Sequence, residues 1–154
     1  MGLVRRFEDL EAWREARKLT ASVYLVSRST GISADRSLGD QMRRAAVSTM
    51  NNIAEGFDSA SRTEFKRFLR YAIRSASEVQ SCLYVAVDQK GIDQATFSAV
   101  YAQAQAVRRL CAGLVRRLGS YGSGSVGGAG RVGEGVLAYR RTGAPAHRLT
   151  PSPR

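Results

Sequence analysis

The sequence predicts an all-α protein: an up-down-up-down four-helix bundle followed by a Gly-rich C-terminal tail that we expect to be disordered. Residues 1–118 contain no proline, and their apolar residues recur every three or four positions, as on one face of a helix. No segment of this part alternates apolar and polar residues in the manner of a strand. Residues 119–154 hold nine of the fifteen glycines and all three prolines, which cannot sustain a helix and bury little apolar surface.

The first two helices are predicted over residues 8–27 and from Ser37 to Gly56. Residues 28–37 between them are rich in Ser, Thr, Gly and Asp, which is the composition of a loop. Ser37 is a suitable N-cap, because its hydroxyl can accept a backbone N–H of the first turn. Gly56 stands where the second apolar stripe stops, and glycine commonly ends a helix.

The third helix is predicted to start at a capping box. Ser61-Arg62-Thr63-Glu64 has the Ser-x-x-Glu form directly ahead of an apolar run. The apolar stripe of this helix passes through either Phe68 or Leu69 and continues to about Gln89. The Lys90-Gly91 pair then ends the helix.

The fourth helix is capped by Asp93 or Thr96, and its apolar stripe reaches Leu118. Four helices of roughly 20 residues joined by short loops most simply pack as antiparallel neighbours. We therefore predict a four-helix bundle over residues 1–118 and a flexible, basic, Gly/Pro-rich tail over residues 119–154.

The net charge favours a polyanionic partner. The 154 residues include 24 Lys and Arg against 13 Asp and Glu, which gives +11 at pH 7. Of this, +7 belongs to residues 1–118 and +4 to residues 119–154. Such a balance suits a nucleic acid or an anionic membrane surface, although it does not bear on the fold.

Composition also argues against several kinds of site and of cellular location. Two cysteines and one histidine supply neither a four-ligand zinc site nor a disulfide scaffold. No apolar run approaches the roughly 20 residues that a membrane span needs. Residues 1–10 lack the apolar core of a secretory signal. We expect a cytoplasmic protein with no membrane partner.

We do not expect an enzyme, a metal or a cofactor. The single imidazole, His147, lies in the predicted tail, far along the chain from Cys82 and Cys111. Both cysteines fall on or beside apolar stripes and are interpreted as small buried hydrophobes. The Gly-rich residues 122–130 are not followed by Lys-Ser/Thr and a helix, as a phosphate-binding loop would be. No acidic cluster offers a magnesium site.

The second helix carries a polar stripe beside its apolar one. The residues of this stripe are Gln41, Arg44, Ser48, Asn52 and Glu55, which step by three or four. One interpretation is an ordinary solvated flank. The other is a polar network between helices or between subunits, because a solvated face requires neither serine nor asparagine in a helix interior.

Basic residues concentrate on the third and fourth helices. They are Arg62, Lys66, Arg67, Arg70 and Arg74 on the third helix, and Arg108, Arg109, Arg116 and Arg117 on the fourth. One surface arginine is usually only solvated, but nine with few acidic neighbours would attract phosphates and make binding sensitive to salt. Tyr71 lies within the first group, where it would either stack on a base or pack at a helix interface. We expect binding to RNA or DNA through the backbone rather than the base sequence.

Four motifs, in this order and spacing, resemble one known family. They are Phe7-Glu8-Asp9-Leu10-Glu11-Ala12-Trp13, Gln41-Met42-Arg43-Arg44-Ala45-Ala46-Val47-Ser48, Asn52-Ile53-Ala54-Glu55-Gly56 and Glu64-Phe65-Lys66-Arg67-Phe68-Leu69. Together they resemble the four-helix-bundle family named for proteins encoded in intervening sequences of 23S ribosomal RNA genes. That family includes the accessory variability determinant of diversity-generating retroelements. The resemblance runs from about Phe7 to Leu118.

The resemblance implies a homopentamer of bundles with a basic surface and no catalytic residues. For the retroelement members it further implies binding to a reverse transcriptase and to its RNA or DNA. Two positions depart from the family pattern. Met50 stands where a proline often precedes the Asn-Ile-Ala-Glu-Gly motif, and Phe57-Asp58 follows it where a basic residue is common.

Two functions compete at this point. The first is a non-enzymatic, oligomeric, nucleic-acid-binding accessory protein that partners a reverse transcriptase. The alternative is a structural or protein-interaction module of the ribosomal intervening-sequence type, whose affinity for nucleic acid is only non-specific. A membrane-binding function is the weakest, because no spare amphipathic segment is available to insert.

Overall fold

The computed structural model describes residues 4–120, and within that range the regular structure is entirely helical. The elements in chain order are a 3-10 turn (Phe7–Asp9), α1 (Glu11–Ser27), α2 (Thr30–Ser33), α3 (Arg36–Phe57), α4 (Arg62–Asp88) and α5 (Gln94–Ser120). The all-α prediction is confirmed. The predicted tail beyond Ser120 lies outside the described residues.

The four long helices form a closed ring of contacts. Helix α1 packs on α3, α3 on α4, α4 on α5, and α5 back on α1. Neighbours run antiparallel, as α3 and α4 show: Gln41, Ser48 and Gly56 along α3 lie against Glu78, Ser75 and Phe68 of α4, in reverse chain order. The structure is therefore the predicted up-down-up-down bundle, in which the first turns of α4 and the last turns of α5 lie at the same end.

The predicted apolar stripes form the core. Fully buried side chains come from every long helix and include Leu19, Met42, Ile53, Leu69, Leu83 and Val107. The open choice on the third helix resolves to Leu69, which is buried, whereas Phe68 is half-buried. Thr49 is also fully buried, and its hydroxyl donates to the Ala45 carbonyl at 2.9 Å, which satisfies a polar atom within the core.

Helix starts differ from the prediction at two places. Helix α1 begins at Glu11 and not at residue 8, because Phe7–Asp9 form a separate 3-10 turn that ends at the extended Leu10. The Asp35 carboxylate, rather than the Ser37 hydroxyl, caps α3 by accepting the Leu38 N–H at 3.0 Å. Ser61 caps α4 as predicted, with the Glu64 N–H donating to its hydroxyl at 3.2 Å. At α5 the cap is Asp93, because its carboxylate accepts the Thr96 N–H at 2.7 Å.

The loops at one end of the bundle touch through glycines. Helix α4 stops at the predicted Lys90-Gly91, where Lys90 takes a left-handed φ of 56° and the Gly91 N–H donates to the Ala86 carbonyl at 2.8 Å. A Cβ on Gly31, in the α1–α3 connection, would lie 2.6 Å from the Gly91 Cα. The predicted loop 28–37 therefore holds a helical turn, α2, whose backbone rests against the α4–α5 loop.

Candidate nucleic-acid interface

The basic residues of α4 and α5 gather at one end of the bundle, which we call the basic end. It comprises residues 62–74 of α4 and residues 106–118 of α5, which are neighbours because the two helices are antiparallel. These segments contain all nine predicted basic residues and a single carboxylate, Glu64. Residues 75–105, which complete the α4–α5 pair, contain one lysine and three carboxylates. The positive charge of the α4–α5 pair is therefore concentrated at one end.

On α4 the basic side chains are mostly exposed. Arg62, Arg67, Arg70 and Arg74 are exposed and Lys66 is half-buried. Arg67 donates to the Glu64 carboxylate at 3.1 Å, and both groups face water, so this pair contributes little to stability. The basic surface of α4 thus remains open to a ligand.

On α5 the predicted residues separate into two environments. Arg109, Arg116 and Arg117 are exposed, and Arg109 and Arg116 share a face because they are seven residues apart. Arg108 is half-buried, and its Nη1 donates to the Oε1 of Gln80 at 2.8 Å across the α4–α5 contact. Arg108 therefore joins two helices and is less available to a ligand than its neighbours.

Sequence reasoning missed Gln80. This side chain is buried on α4, and its Nε2 also donates to the Tyr101 carbonyl at 3.5 Å. The sequence does contain a sign of this role, since Gln80 follows Val79 within the apolar stripe of the third helix. A glutamine at such a position is buried, and its amide then needs polar partners on the facing helix.

The polar stripe of α3 lies partly in a network with α4. The Ser48 and Ser75 hydroxyls are 2.9 Å apart, and the Asn52 Nδ2 donates to the Ser48 carbonyl at 2.7 Å and to its hydroxyl at 3.1 Å. Gln41 donates to the Glu78 carboxylate of α4. Ser75 and Glu78 were not singled out from the sequence, although both are polar residues on the flank of the third helix that turns toward α3.

The outer face of α3 borders an open groove of about 670 Å³. Arg44 lies in this groove and donates to the Gln41 Oε1 at 3.0 Å, and the exposed Glu55 lies three helical turns further along the same stripe. Tyr24 of α1 closes one side, with 36% of its surface exposed. The groove therefore presents charges of both signs and one aromatic ring.

The thiols are buried and unpaired. Cys82 and Cys111 are both free cysteines, and burial raises the pKa of Cys111 to about 12 and also raises the pKa of Cys82. Both are therefore protonated thiols at neutral pH, which agrees with their interpretation as small core residues. His147 lies outside the described residues.

Residues 4–120 hold neither a metal-binding cluster nor a membrane-spanning helix. Nowhere in this range do three His, Cys, Asp or Glu side chains come close enough to hold a metal ion. None of the helices in the same range has both the length and the apolar run that crossing a membrane requires. The surface of residues 4–120 can therefore bind a ligand through its charged groups and its hydrogen-bond donors.

Comparison with known proteins identifies the family. The family model described as 23S rRNA-intervening sequence protein matches residues 8–113, about two thirds of the chain. A solved structure from Bacteroides thetaiotaomicron, described as a protein of unknown function from the S23 ribosomal protein family, superposes with a TM-score of 0.63 at 16% sequence identity. The match covers 68% of this chain and 98% of that one. None of the curated proteins matches the chain. The resemblance seen in the motifs is confirmed, and the chain belongs to the family of 23S rRNA-intervening sequence proteins.

Proposed function

We propose that this protein is a non-enzymatic, oligomeric accessory protein that binds RNA or DNA by the phosphate backbone. The observation that carries the proposal is the basic end, where nine Lys and Arg residues stand against the single carboxylate Glu64. Arg67, Arg70 and Arg74 of α4 and Arg109, Arg116 and Arg117 of α5 are exposed, whereas Arg108 is held in the α4–α5 contact. Arginines spread over two adjacent helices can each meet a phosphate, and contacts to phosphate carry no sequence information.

The motif resemblance supports a specific partner and assembly. Its retroelement branch points to a reverse transcriptase as the protein partner and to a homopentamer as the assembly. Five copies would multiply the +7 of residues 1–118 and let several weak phosphate contacts act together. We assign the subunit contact to the groove of α3, because Arg44 and Glu55 give that face charges that a second copy can complement.

The experiment is binding of labelled RNA duplex, RNA–DNA hybrid and DNA duplex to the full chain across a salt series. The test variant carries Arg67→Glu, Arg70→Glu and Arg74→Glu. The matched control carries Arg28→Glu, Arg36→Glu and Lys90→Glu, three exposed residues at the opposite end of the bundle. The net charge changes equally in both variants.

We expect the test variant to lose at least about tenfold in affinity near 0.1 M salt, with a shallower dependence of log affinity on log salt. The control should lose much less. Equal losses in the two variants would mean that total charge, and not the basic end, sets the affinity. If the wild-type chain binds none of the three duplexes and no single strand of the same sequence at low salt, the protein-interaction alternative replaces the proposal. A pull-down after nuclease treatment would then look for an acidic protein partner.

The assembly is tested separately by molar mass from light scattering. Wild-type protein should give the mass of five chains, and Arg44→Glu should reduce it because the groove then gains a second uncompensated acid. Assembly should tolerate salt better than nucleic-acid binding does, since fewer exposed charges are involved. A wild-type mass of one chain would contradict the oligomeric part of the proposal and leave the binding part standing.

A further inference from the structure

We propose that Tyr71 is a stacking site for an unpaired base, so that the basic surface of α4 binds single-stranded nucleic acid more tightly than duplex. This inference rests on the proposed function and names its ligand class. It starts from position: Tyr71 follows Arg67 by four residues and precedes Arg74 by three, so both arginines flank it on the helix surface. The ring is 39% exposed, in the middle of the basic segment of α4.

Neighbouring side chains hold the ring in a defined orientation. Phe68 meets it edge-to-face, with ring centroids 6.0 Å apart and planes at 87°. The Arg74 guanidinium carbon lies 5.9 Å from the Tyr71 ring centroid. A ring already ordered in this way loses little conformational freedom when a ligand stacks on it.

A base can displace the Arg74 guanidinium from the Tyr71 ring. Arg74 is exposed and its side chain is long, so it can leave the ring for a neighbouring phosphate while a base takes its position against the ring. Arg67 supplies a second cation one turn away for the phosphate on the other side of that base. Tyr71 would thus contact the base while its flanking arginines contact the backbone.

Duplex and single strand differ in what they offer to such a site. In a duplex, each base is paired and stacked between its neighbours, so its face is covered, whereas an unpaired base can present its face to a side chain. Both forms carry the same kind of phosphate charge for the arginines. The stacking contact therefore adds affinity for the single strand alone.

The other exposed tyrosine of α4 shows why position matters. Tyr84 is more exposed, at 52%, but its ring is engaged by Phe97 at 5.0 Å and by Tyr101 at 5.9 Å. The charged residue on its own face, four positions along, is Asp88, which repels phosphate. Tyr84 is therefore the matched control for Tyr71.

The test compares a single-stranded oligonucleotide containing 2-aminopurine with the duplex of the same sequence, using the full chain. The variants are Tyr71→Leu, which removes the ring, Tyr71→Phe, which keeps it, and Tyr84→Leu. Stacking of 2-aminopurine on an aromatic ring quenches its fluorescence, so the contact is read directly. Circular dichroism melting shows that each variant is folded.

We expect Tyr71→Leu to weaken single-strand binding about tenfold, to abolish the quenching and to leave duplex affinity unchanged. The salt slope should stay the same, because no phosphate contact is lost. Tyr71→Phe and Tyr84→Leu should remain within about twofold of wild type.

Equal wild-type affinity for single strand and duplex would overturn the stacking site, as would unchanged single-strand affinity in Tyr71→Leu, and the proposed function would still stand. A parallel loss of both affinities and of assembly mass in Tyr71→Leu would place the ring in a subunit contact and also overturn it. Failure of the wild-type chain to bind either ligand at low salt would overturn the proposed function itself.

Discussion

The hydroxyls of Ser48 and Ser75 lie 2.9 Å apart and connect α3 to α4 through side chains alone. The Asn52 amide donates to the same Ser48 hydroxyl at 3.1 Å, so three polar side chains form a short chain of hydrogen bonds at the edge of an apolar contact. Apolar packing tolerates sliding of one helix along another, whereas paired hydroxyls are satisfied at one offset only. This chain of bonds therefore fixes the register of α3 against α4.

The bond between the two serines predicts a measurable coupling energy. Ser48→Ala and Ser75→Ala should each destabilise the bundle by about 0.5–1.5 kcal/mol, and the double variant by less than the sum. The measurement is urea unfolding of all four members of the double-mutant cycle. Ser77→Ala is the control partner, because its hydroxyl donates within α4 to the Ile73 carbonyl, and its effect should add to that of Ser48→Ala.

Two helical glycines should respond to alanine with opposite sign. A Cβ at Gly56 of α3 would lie 2.7 Å from the Phe68 Cβ and 2.9 Å from the Phe65 Cδ2, so Gly56→Ala forces α3 and α4 apart and should cost about 1–3 kcal/mol. A Cβ at Gly113 of α5 meets nothing closer than Arg116 Nη2, at 3.8 Å. Gly113→Ala should therefore stabilise by about 0.5–1 kcal/mol.

Thermal melting of the two glycine variants checks both signs. A stabilised Gly56→Ala would mean that α3 and α4 approach less closely at that point than the distances show.

Arg108 and Arg109 are adjacent in sequence, but their substitution should affect different properties: folding stability at Arg108 and nucleic-acid binding at Arg109. Arg108→Met leaves the buried Gln80 Oε1 without its donor, so it should cost about 1–3 kcal/mol of folding free energy. Arg109→Met changes an exposed residue, so stability should hold while the salt slope of nucleic-acid binding falls by about one. Urea unfolding and the salt series measure the two effects, and a reversed pattern would exchange the roles given to these residues.

The buried thiol of Cys111 makes stability depend on alkaline pH. Its folded pKa, about 12, is above the unfolded value near 8.5–9, so the stability linked to it is fully present only below about pH 8. That stability is lost as the pH rises from there toward the folded pKa, because the unfolded thiol ionises and the folded one does not. Cys111→Ala should flatten the decline between pH 8 and pH 10, measured by urea unfolding.

The same burial predicts slow chemistry at both thiols. In the native protein Cys82 and Cys111 should react slowly with a disulfide reagent at pH 8, and both should react rapidly in strong denaturant. Rapid labelling of Cys111 in the native state would show that the core of α5 opens readily.

The helices could be predicted from the sequence because their apolar spacing is regular and uninterrupted by proline. Met42, Ala45, Thr49 and Ile53 of α3 lie in the core at the predicted stripe. The start of α3 could not be fixed in the same way, since Asp35 and Ser37 are both good caps. In the structure the Asp35 carboxylate accepts the Leu38 N–H, and the turn just ahead of it, with the buried Ile32, belongs to tertiary packing that the spacing of residues does not reveal.

The candidate site was only partly predictable for a related reason. Charge density along a helix is visible in the sequence, so the two groups of basic residues on α4 and α5 were expected, whereas their meeting at one end follows from the packing of these helices. Which side chain faces a neighbouring helix depends on helix rotation, and the rotation of about 100° between successive residues separates Arg108, bonded to Gln80, from the exposed Arg109. For the same reason the sequence indicated Ser48 and Asn52 but not Ser75, which completes their hydrogen bonds.

The order in which the four long helices pack against one another has a consequence for folding kinetics. Each long helix rests on the one that precedes it along the chain, and only the contact between α1 and α5 joins distant segments. Bundles dominated by such local contacts fold within microseconds to milliseconds, because little loop entropy is lost before packing energy is gained. During synthesis α3 can dock on α1 and α4 on α3 as each emerges. The apolar stripes of α1 and α4 then stay open to water until α5 leaves the ribosome and closes the ring.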